Sequence, residues 1–329
     1  MAVVIGINSG SSFDGVDAVA IEIDIAEDGH PTKPRFIAGA SYDWPAEVAV
    51  RVLAAFENEV SLFEMTRLNY EAGAVYADAA TALMRDLNLT GEDVAVIGFD
   101  GQTIYQEPPV HARLDEGRTI GRVARWHEGI FGAGMQIGEP SVVAVEADTY
   151  VVTQFRPADH ALGGTGAPLM QYLDFVAFRD IGPVLTLNIG GIANCQLADA
   201  DRSKMMAFDT GPGNVMIDHA MSRLEGKSYD ADGALARTGT VIEPLLEELK
   251  NHPYFARPVP RSAWRLDFGS KYADAKIDEY SEHSSADLVA TFTEFSAIAI
   301  SRSIQDHVPN LDQMQALIAS GGGVRNGYL

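Results

Sequence analysis

Two carboxylates and a set of glycine turns are the residues of this chain whose types and spacing could do chemistry. Asp14 stands in the stretch Gly6 to Asp17, where Ser9, Gly10, Ser11, Ser12 and Gly15 make a small polar turn. Gly10 and Gly15 permit backbone angles that other residues avoid and let a ligand approach the main chain. Successive N–H groups in such a turn form an anion-binding concavity, with the serine hydroxyls as further donors. A carboxylate repels phosphate, so Asp14 fits the turn if a metal ion lies between them. Mg²⁺ is the simplest choice, since it favours one or two carboxylates plus phosphate oxygens and waters. The same residues also read as an ordinary Ser/Gly hairpin with Asp14 as a turn former. Asp159 stands ahead of Gly163-Gly164-Thr165-Gly166, either as a base presented to a bound substrate or as the former of an Asx-turn. Asp100-Gly101-Gln102-Thr103 follows the apolar run Val94–Phe99. Ligands of α/β sheets gather outside the carboxyl ends of strands, which makes this tetrad a site candidate; the alternative is a loop with a helix-capping Asp.

These residues need elements to hold them. Val3–Ile5 and Val16–Asp24 flank the first turn as a β-hairpin, and Arg35–Tyr42 reads as a third strand. Pro45 opens a helical pattern through Val48, Val52, Leu53 and Phe56, and a longer helix is predicted over Phe63–Leu87. Val94–Phe99 reads as a buried strand, Pro108–Glu128 as a loop excursion, Gln136–Asp148 as a helix entry and helix, and Tyr150–Val152 as a short strand. The glycines and prolines between Gln154 and Pro168 exclude regular structure across all of that segment. The second half then repeats the plan of the first. A strand, Val184–Ile189, leads to the turn Gly190-Gly191-Ile192-Ala193-Asn194 and a returning strand, Cys195–Ala198. A polar turn, Asp209–Asn214, precedes a helix over Val215–Leu224. Asn214 is placed to cap that helix, and its amino end suits an anion. Helices follow at Ala231–Thr238, Val241–Lys250 and Ala286–His307, then a strand Met314–Ala319 and a third glycine turn, Ser320–Gly323. The repeat suggests two facing domains, 1–140 and 141–329, with a nucleotide between them. The hairpins would pinch the phosphates and the late turn would lie against the adenosine. That assigns Asn188, Gly190, Gly191, Asp209, Gly211, Gly213, Asn214, Gly321, Gly322 and Gly323 to the nucleotide, with capping as the other role open to Asp209.

The composition bounds the partners. The 329 residues carry 46 acidic and 24 basic side chains, a formal charge of -22. Nucleic acid and anionic membrane both need a basic surface, so neither is expected as a partner. An anionic ligand must be held by backbone N–H groups, a metal or a few local cations. Cys195 is the only cysteine, which excludes an intrachain disulfide and suits a reducing compartment. The amino terminus lacks a signal-peptide pattern and no apolar run approaches a membrane span, so a cytoplasmic protein is expected. None of the histidines has metal-ligand spacing, and zinc is not expected.

In combination, several segments resemble one family almost end to end. They are Ser9–Asp17, Gly101-Gln102-Thr103, Gln136-Ile137-Gly138, Phe155-Arg156, Asp159, Gly163–Leu169, Asn188–Asn194, Phe208–Asn214, Asp230 with Gly233, Ala236 and Gly239, Pro253-Tyr254-Phe255, and Gly321-Gly322-Gly323 with Asn326. The chain resembles the anhydro-sugar kinases, the family of 1,6-anhydro-N-acetylmuramate kinase and levoglucosan kinase, within the actin/hexokinase/heat-shock ATPase superfamily. The resemblance implies an α/β fold of two duplicated ribonuclease H-like halves with a nucleotide cleft between them. It also implies an ATP- and Mg²⁺-dependent reaction in which water attacks the anomeric carbon, the anhydro bridge opens and O6 takes the γ-phosphoryl group. Carried onto this chain, Asp159 is the general base, Arg156 helps orient it or the sugar, Asp14 helps hold Mg²⁺, and the Ser9–Ser12 backbone cradles the phosphates. Gln102, Thr103, Gly164, Gly166 and Arg265 fall on the substrate side.

The chain also departs from the family's pattern. Asp100 stands for a His, Gln154 for an Asp, Thr165 for a Gln, and Arg261-Ser262-Ala263-Trp264-Arg265-Leu266 for Lys-Ser-Thr-Gly-Arg-Glu. Leu266 in place of a carboxylate is expected to weaken hydrogen bonding to sugar hydroxyls. The chain ends just after its third glycine turn, where relatives continue, so the second domain reads as truncated. Another sugar as substrate, or a non-catalytic binding role, are the competing readings; retention of Asp14 and Asp159 argues against the second. The identity of the sugar and a homodimeric assembly stay open.

Overall fold

The computed structural model describes residues 1–10, 13, 15–109 and 121–329, apart from the side chain of Arg265. The chain forms two compact units, Met1–Gly166 and Ala167–Leu329. The first extends past the expected end at 140. Its helix Pro140–Ala147 packs on the helix Leu62–Asp86, and its short strand at Val151–Val152 adds to the first sheet.

The strands of the first unit are β1 (Ala2–Asn8), β2 (Val16–Ile23), β3 (Arg35–Tyr42), β4 (Val94–Phe99), β5 (Gln102–Glu107), β6 (Ala133–Ile137) and β7 (Val151–Val152). Five of them form one sheet in the order β3-β2-β1-β4-β7, while β5 and β6 form a separate antiparallel ribbon. β1 runs antiparallel to β2 and parallel to β4, and Asn8 lies opposite Asp17 at the turn expected to hold phosphate. Side chains alternate along a strand, so Ile5, Ile7 and Ser9 share the buried face of β1, as Val16, Ala18 and Ala20 do on β2. The helix Leu62–Asp86 covers that face with Leu68, Ala72, Tyr76, Ala80 and Leu83. Ser61 and Glu64 form a capping box at its start. Gly73 admits a close approach: a Cβ there would lie 2.7 Å from the Glu139 carbonyl oxygen. Asn69, one turn earlier, accepts the Gly138 N–H at 2.8 Å, so this helix fixes the end of β6.

The second unit contributes β8 (Val184–Ile189), β9 (Ile192–Ala198), β10 (Met206–Pro212) and β11 (Ala316–Ser320), in the order β10-β9-β8-β11. β8 pairs antiparallel with β9 and parallel with β11, as β1 does with β2 and β4. The order 3-2-1-4 is therefore present twice, which is the duplicated ribonuclease H-like plan. The helix Ser285–His307, capped by Ser284 and Asp287, buries Leu288, Phe292, Phe295, Ile300 and Ile304. Each large apolar side chain so buried contributes about 1.5–3 kcal/mol.

Some expected elements differ. Gln136 and Ile137 end β6, and the helix expected from them begins only at Pro140. A helix over Ala231–Thr238 is replaced by two short 3-10 turns, Ala231–Gly233 and Ala236–Thr238. The Asp230 carboxylate takes the N–H groups of Leu235 and Ala236, at 2.9 and 3.0 Å, and Asp232 has a φ of 57°. The helix expected to Leu224 is α-helical only over Val215–Ala220, with a π-helical turn at Met221–Glu225. Of the Pro108–Glu128 excursion, residues 110–120 lie outside the described residues, and Ala124–His127 forms a single helical turn.

Candidate active site

The turn between β1 and β2 is anchored on both flanks. Ser9 is buried and its Oγ accepts from Trp44 Nε1 at 3.2 Å. Ser9 belongs to the core face of β1, so its hydroxyl is turned inward. The Gly10 carbonyl accepts from Phe13 N at 3.0 Å and from Gln102 Nε2 at 3.4 Å. Phe13 has a φ of 56°, which costs a side-chain-bearing residue about 1–2 kcal/mol. Its ring packs against Trp44 and Phe56, at 5.0 and 5.6 Å between centroids, which offsets that cost. Ser11, Ser12 and Asp14 lie outside the described residues.

The end of β4 lies beside this turn. Gly101 has a φ of 81°, and a Cβ on it would come within 2.6 Å of the Ile137 carbonyl. Gln102, fully buried, links β5 to the Gly10 carbonyl, and Thr103 Oγ1 accepts from Gln136 Nε2 at 3.4 Å. Asp100 is buried and its Oδ2 accepts from Arg156 Nε at 2.8 Å. Burial raises the Asp100 pKa above the usual carboxylate value, and the neighbouring Arg156 opposes that rise.

Arg156 and Asp159 occupy one face of a two-turn helix, Phe155–Ala161. Pro157 is tolerated there because first-turn N–H groups have no intrahelical partner. The helix ends at the glycine turn: the Asp159 carbonyl accepts from Leu162 N and Gly164 N, at 3.0 and 2.9 Å. The Asp159 carboxylate is exposed, and its Oδ2 accepts from Gly166 N at 2.7 Å. A Cβ on Gly164 would fall 2.2 Å from that oxygen. Arg156 Nη1 donates to the Gly166 carbonyl at 2.9 Å, and Gln106 Nε2 to the Thr165 carbonyl at 2.8 Å. His160 is buried between the positions of Gly132 and Gly166, and burial lowers its pKa. Asp100, Arg156, Asp159, Gly164 and Gly166 therefore form one connected group, with Gln106 and His160 beneath it. Sequence reasoning missed Gln106 and His160, since neither lies in a spacing that signals chemistry.

In the second unit the three glycine turns meet. Gly190 and Gly191 carbonyls accept from the N–H groups of Gly213, Asn214 and Val215 at 2.8–3.0 Å. A Cβ on Gly213 would lie 2.3 Å from the Gly190 carbonyl oxygen. Gly321, with a φ of 86°, approaches Asn188 Oδ1 and the Ile189 carbonyl, and Gly323 approaches the Ile189 side chain. Asn214 makes no side-chain cap to the helix Val215–Ala220, contrary to expectation. Its Nδ2 bridges the Ile189 and Gly190 carbonyls at 3.2 and 3.1 Å, tying the turns together. Gly211, with a φ of 144°, packs its backbone against Ala299 and Phe255. Asp209 is buried and its Oδ2 accepts from Ala263 N at 2.7 Å. It secures the Arg261–Ala263 segment. The Arg261 guanidinium is likewise internal, bonded to Phe255 and Arg257 carbonyls and to Ser303 Oγ. Leu266 is 76% exposed. Arg265 lies in the helix Arg265–Phe268, and its side chain is outside the described residues. The described residues contain no group of three or more metal-ligating side chains, and none of their helices is long and apolar enough to cross a membrane.

Two sheets of the same 3-2-1-4 order, each with a glycine turn after its first strand, define the actin/hexokinase-like class, here an ATP-dependent sugar kinase. The chain belongs to the anhydro-N-acetylmuramic acid kinase family, whose model matches residues 2–329. It is 35% identical over 329 residues to the anhydro-N-acetylmuramic acid kinase of Francisella tularensis subsp. novicida (strain U112), covering 99% of this chain and 82% of that one. It is 32% identical over 325 residues to that of Bacillus cereus (strain G9842), covering 98% and 80%. Among solved structures, a ligand-bound xylulose kinase from Lactobacillus acidophilus has a TM-score of 0.43 and 11% identity, covering 99% of this chain and 82% of that one.

Proposed function

We propose that the protein transfers the γ-phosphoryl group of ATP to O6 of 1,6-anhydro-N-acetylmuramate while water opens the anhydro bridge. The reading is carried by the exposed Asp159 carboxylate, fixed by the Gly166 N–H within a chain whose family match is end to end. In the proposed reaction Asp159 takes a proton from water as that water attacks the anomeric carbon. The bond from that carbon to O6 breaks, and O6 bonds to the γ-phosphorus as ADP leaves. Positioning and charge neutralisation supply most of the catalysis in phosphoryl transfer. The Ser9–Ser12 turn is proposed to hold phosphates through its main chain, and the glycine surface of the second unit to hold nucleotide. Mg²⁺, when bound with ATP, would neutralise phosphate charge. A nucleotide-borne ion needs only one or two carboxylates, and Asp14, which follows Phe13 in the sequence of the turn, is the residue proposed for that role. An ATP-dependent reaction of this kind belongs in the cytoplasm.

Asp159→Asn is expected to lower turnover by about two to four orders of magnitude with ATP affinity unchanged, measured by coupled assay and calorimetry. Near-normal turnover would remove the mechanism. A neutral, levoglucosan-like sugar is the second reading, favoured by the exposed, apolar Leu266. A panel of anhydro and reducing sugars assayed for ATP-dependent phosphorylation separates the two.

A further inference from the structure

Gly166 is gripped at both ends of its backbone. Its N–H donates to Asp159 Oδ2 at 2.7 Å, and its carbonyl accepts from Arg156 Nη1 at 2.9 Å. Arg156 is held in turn by Asp100, whose side chain is only 9% exposed and closes β4. A chain of contacts thus runs from the rigid sheet, through a guanidinium and one glycine, to an exposed carboxylate on a two-turn helix. Asp100 also decides where the Arg156 charge goes. Arg156 and Asp159 are three residues apart on the same helix face, the spacing at which opposite charges pair. Without a buried counter-charge, the guanidinium would turn to Asp159 and occupy the atoms that must receive a proton.

We propose that Asp100 is a positioning residue that acts through Arg156, fixing the Gly163–Gly166 turn and keeping the guanidinium off the Asp159 carboxylate. The proposal rests on Asp159 as the base. Misplacing a reacting group by about 1 Å costs on the order of 100-fold. Asp100→Asn is therefore expected to lower kcat by about 10- to 100-fold, with the KM for ATP changed less than about twofold. Arg156→Gln should also lower kcat. The double variant should be no slower than Asp100→Asn, because the second change removes the guanidinium that the first set loose. Losses that multiply, or full activity in Asp100→Asn, would overturn the proposal.

Amide hydrogen exchange of the unliganded full chain gives a readout free of the reaction. The Gly166 N–H should exchange at least about tenfold faster in Asp100→Asn and in Arg156→Lys, which keeps the charge but loses the fork. Unchanged exchange in both variants would sink the linkage. Arg156→Lys keeps the test open if Asp100→Asn does not fold. If Asp159→Asn proves active, the base assignment falls, while the exchange data still decide whether Asp100 holds the turn.

Discussion

Asp159 is reached by three constraints, and each belongs to a single residue. Gly166 donates to its carboxylate, Gly164 leaves room for it, and Arg156 holds the far side of the turn. Gly164→Ala should therefore push the carboxylate aside and lower kcat by about 100-fold while the protein stays folded, as steady-state kinetics and circular dichroism would report. A second carboxylate shows the opposite circumstance. Asp218 is half-buried, no described residue gives its carboxylate a hydrogen bond or ion pair, and burial pushes its pKa from 3.8 up to about 6. A raised carboxylate favours the folded state while it is protonated. Its cost is thus absent below pH 3.8, grows as pH rises, and is complete above about pH 6. Asp218→Asn is expected to stabilise the free protein by about 1–2 kcal/mol at pH 7.5, after allowance for its wetted part, and by almost nothing at pH 4. Urea unfolding at both pH values checks this; equal effects would contradict it.

At the scale of elements, Gly73 marks the contact between the helix Leu62–Asp86 and the Glu139 backbone. Gly→Ala within a helix ordinarily gains about 1 kcal/mol of propensity. Here the added Cβ would meet the Glu139 backbone at 2.7 Å, so Gly73→Ala should instead destabilise by about 1–3 kcal/mol in a denaturant melt. The strands were legible in the sequence, because Val16, Ala18 and Ala20 alternate with solvated residues and glycine turns bound the apolar runs. The helix Phe155–Ala161 was hidden by Pro157 and by the glycines that follow it. The pairing of Asp100 with Arg156 was hidden differently: the two lie 56 residues apart, and the pair depends on where β4 ends relative to that helix. The side chain of Asn214 was legible as polar and well placed, but its partners, the carbonyls of Ile189 and Gly190, belong to a different turn.

For the whole molecule, the formal charge of -22 sets the terms on which ATP arrives. Like charges slow their encounter, and salt screens them beyond about 8–10 Å. Raising ionic strength from about 20 to about 200 mM should therefore raise kcat/KM for ATP, by about two- to fivefold, whereas electrostatic steering would lower it. Once there, the nucleotide is expected to meet the place where the turns at Gly190, Gly213 and Gly321 come together, joined by backbone groups and by the amide side chains of Asn188 and Asn214. Peptide groups and amide side chains do not ionise in the range where proteins work. A grip built from them keeps one strength while the acids around it gain and lose protons, so ATP affinity should stay level with pH where turnover falls. It also leaves the proposed sugar side free to drift: Asp100, Thr165 and Leu266, which the sequence reading sets apart from the family it resembles, all lie outside that meeting of turns.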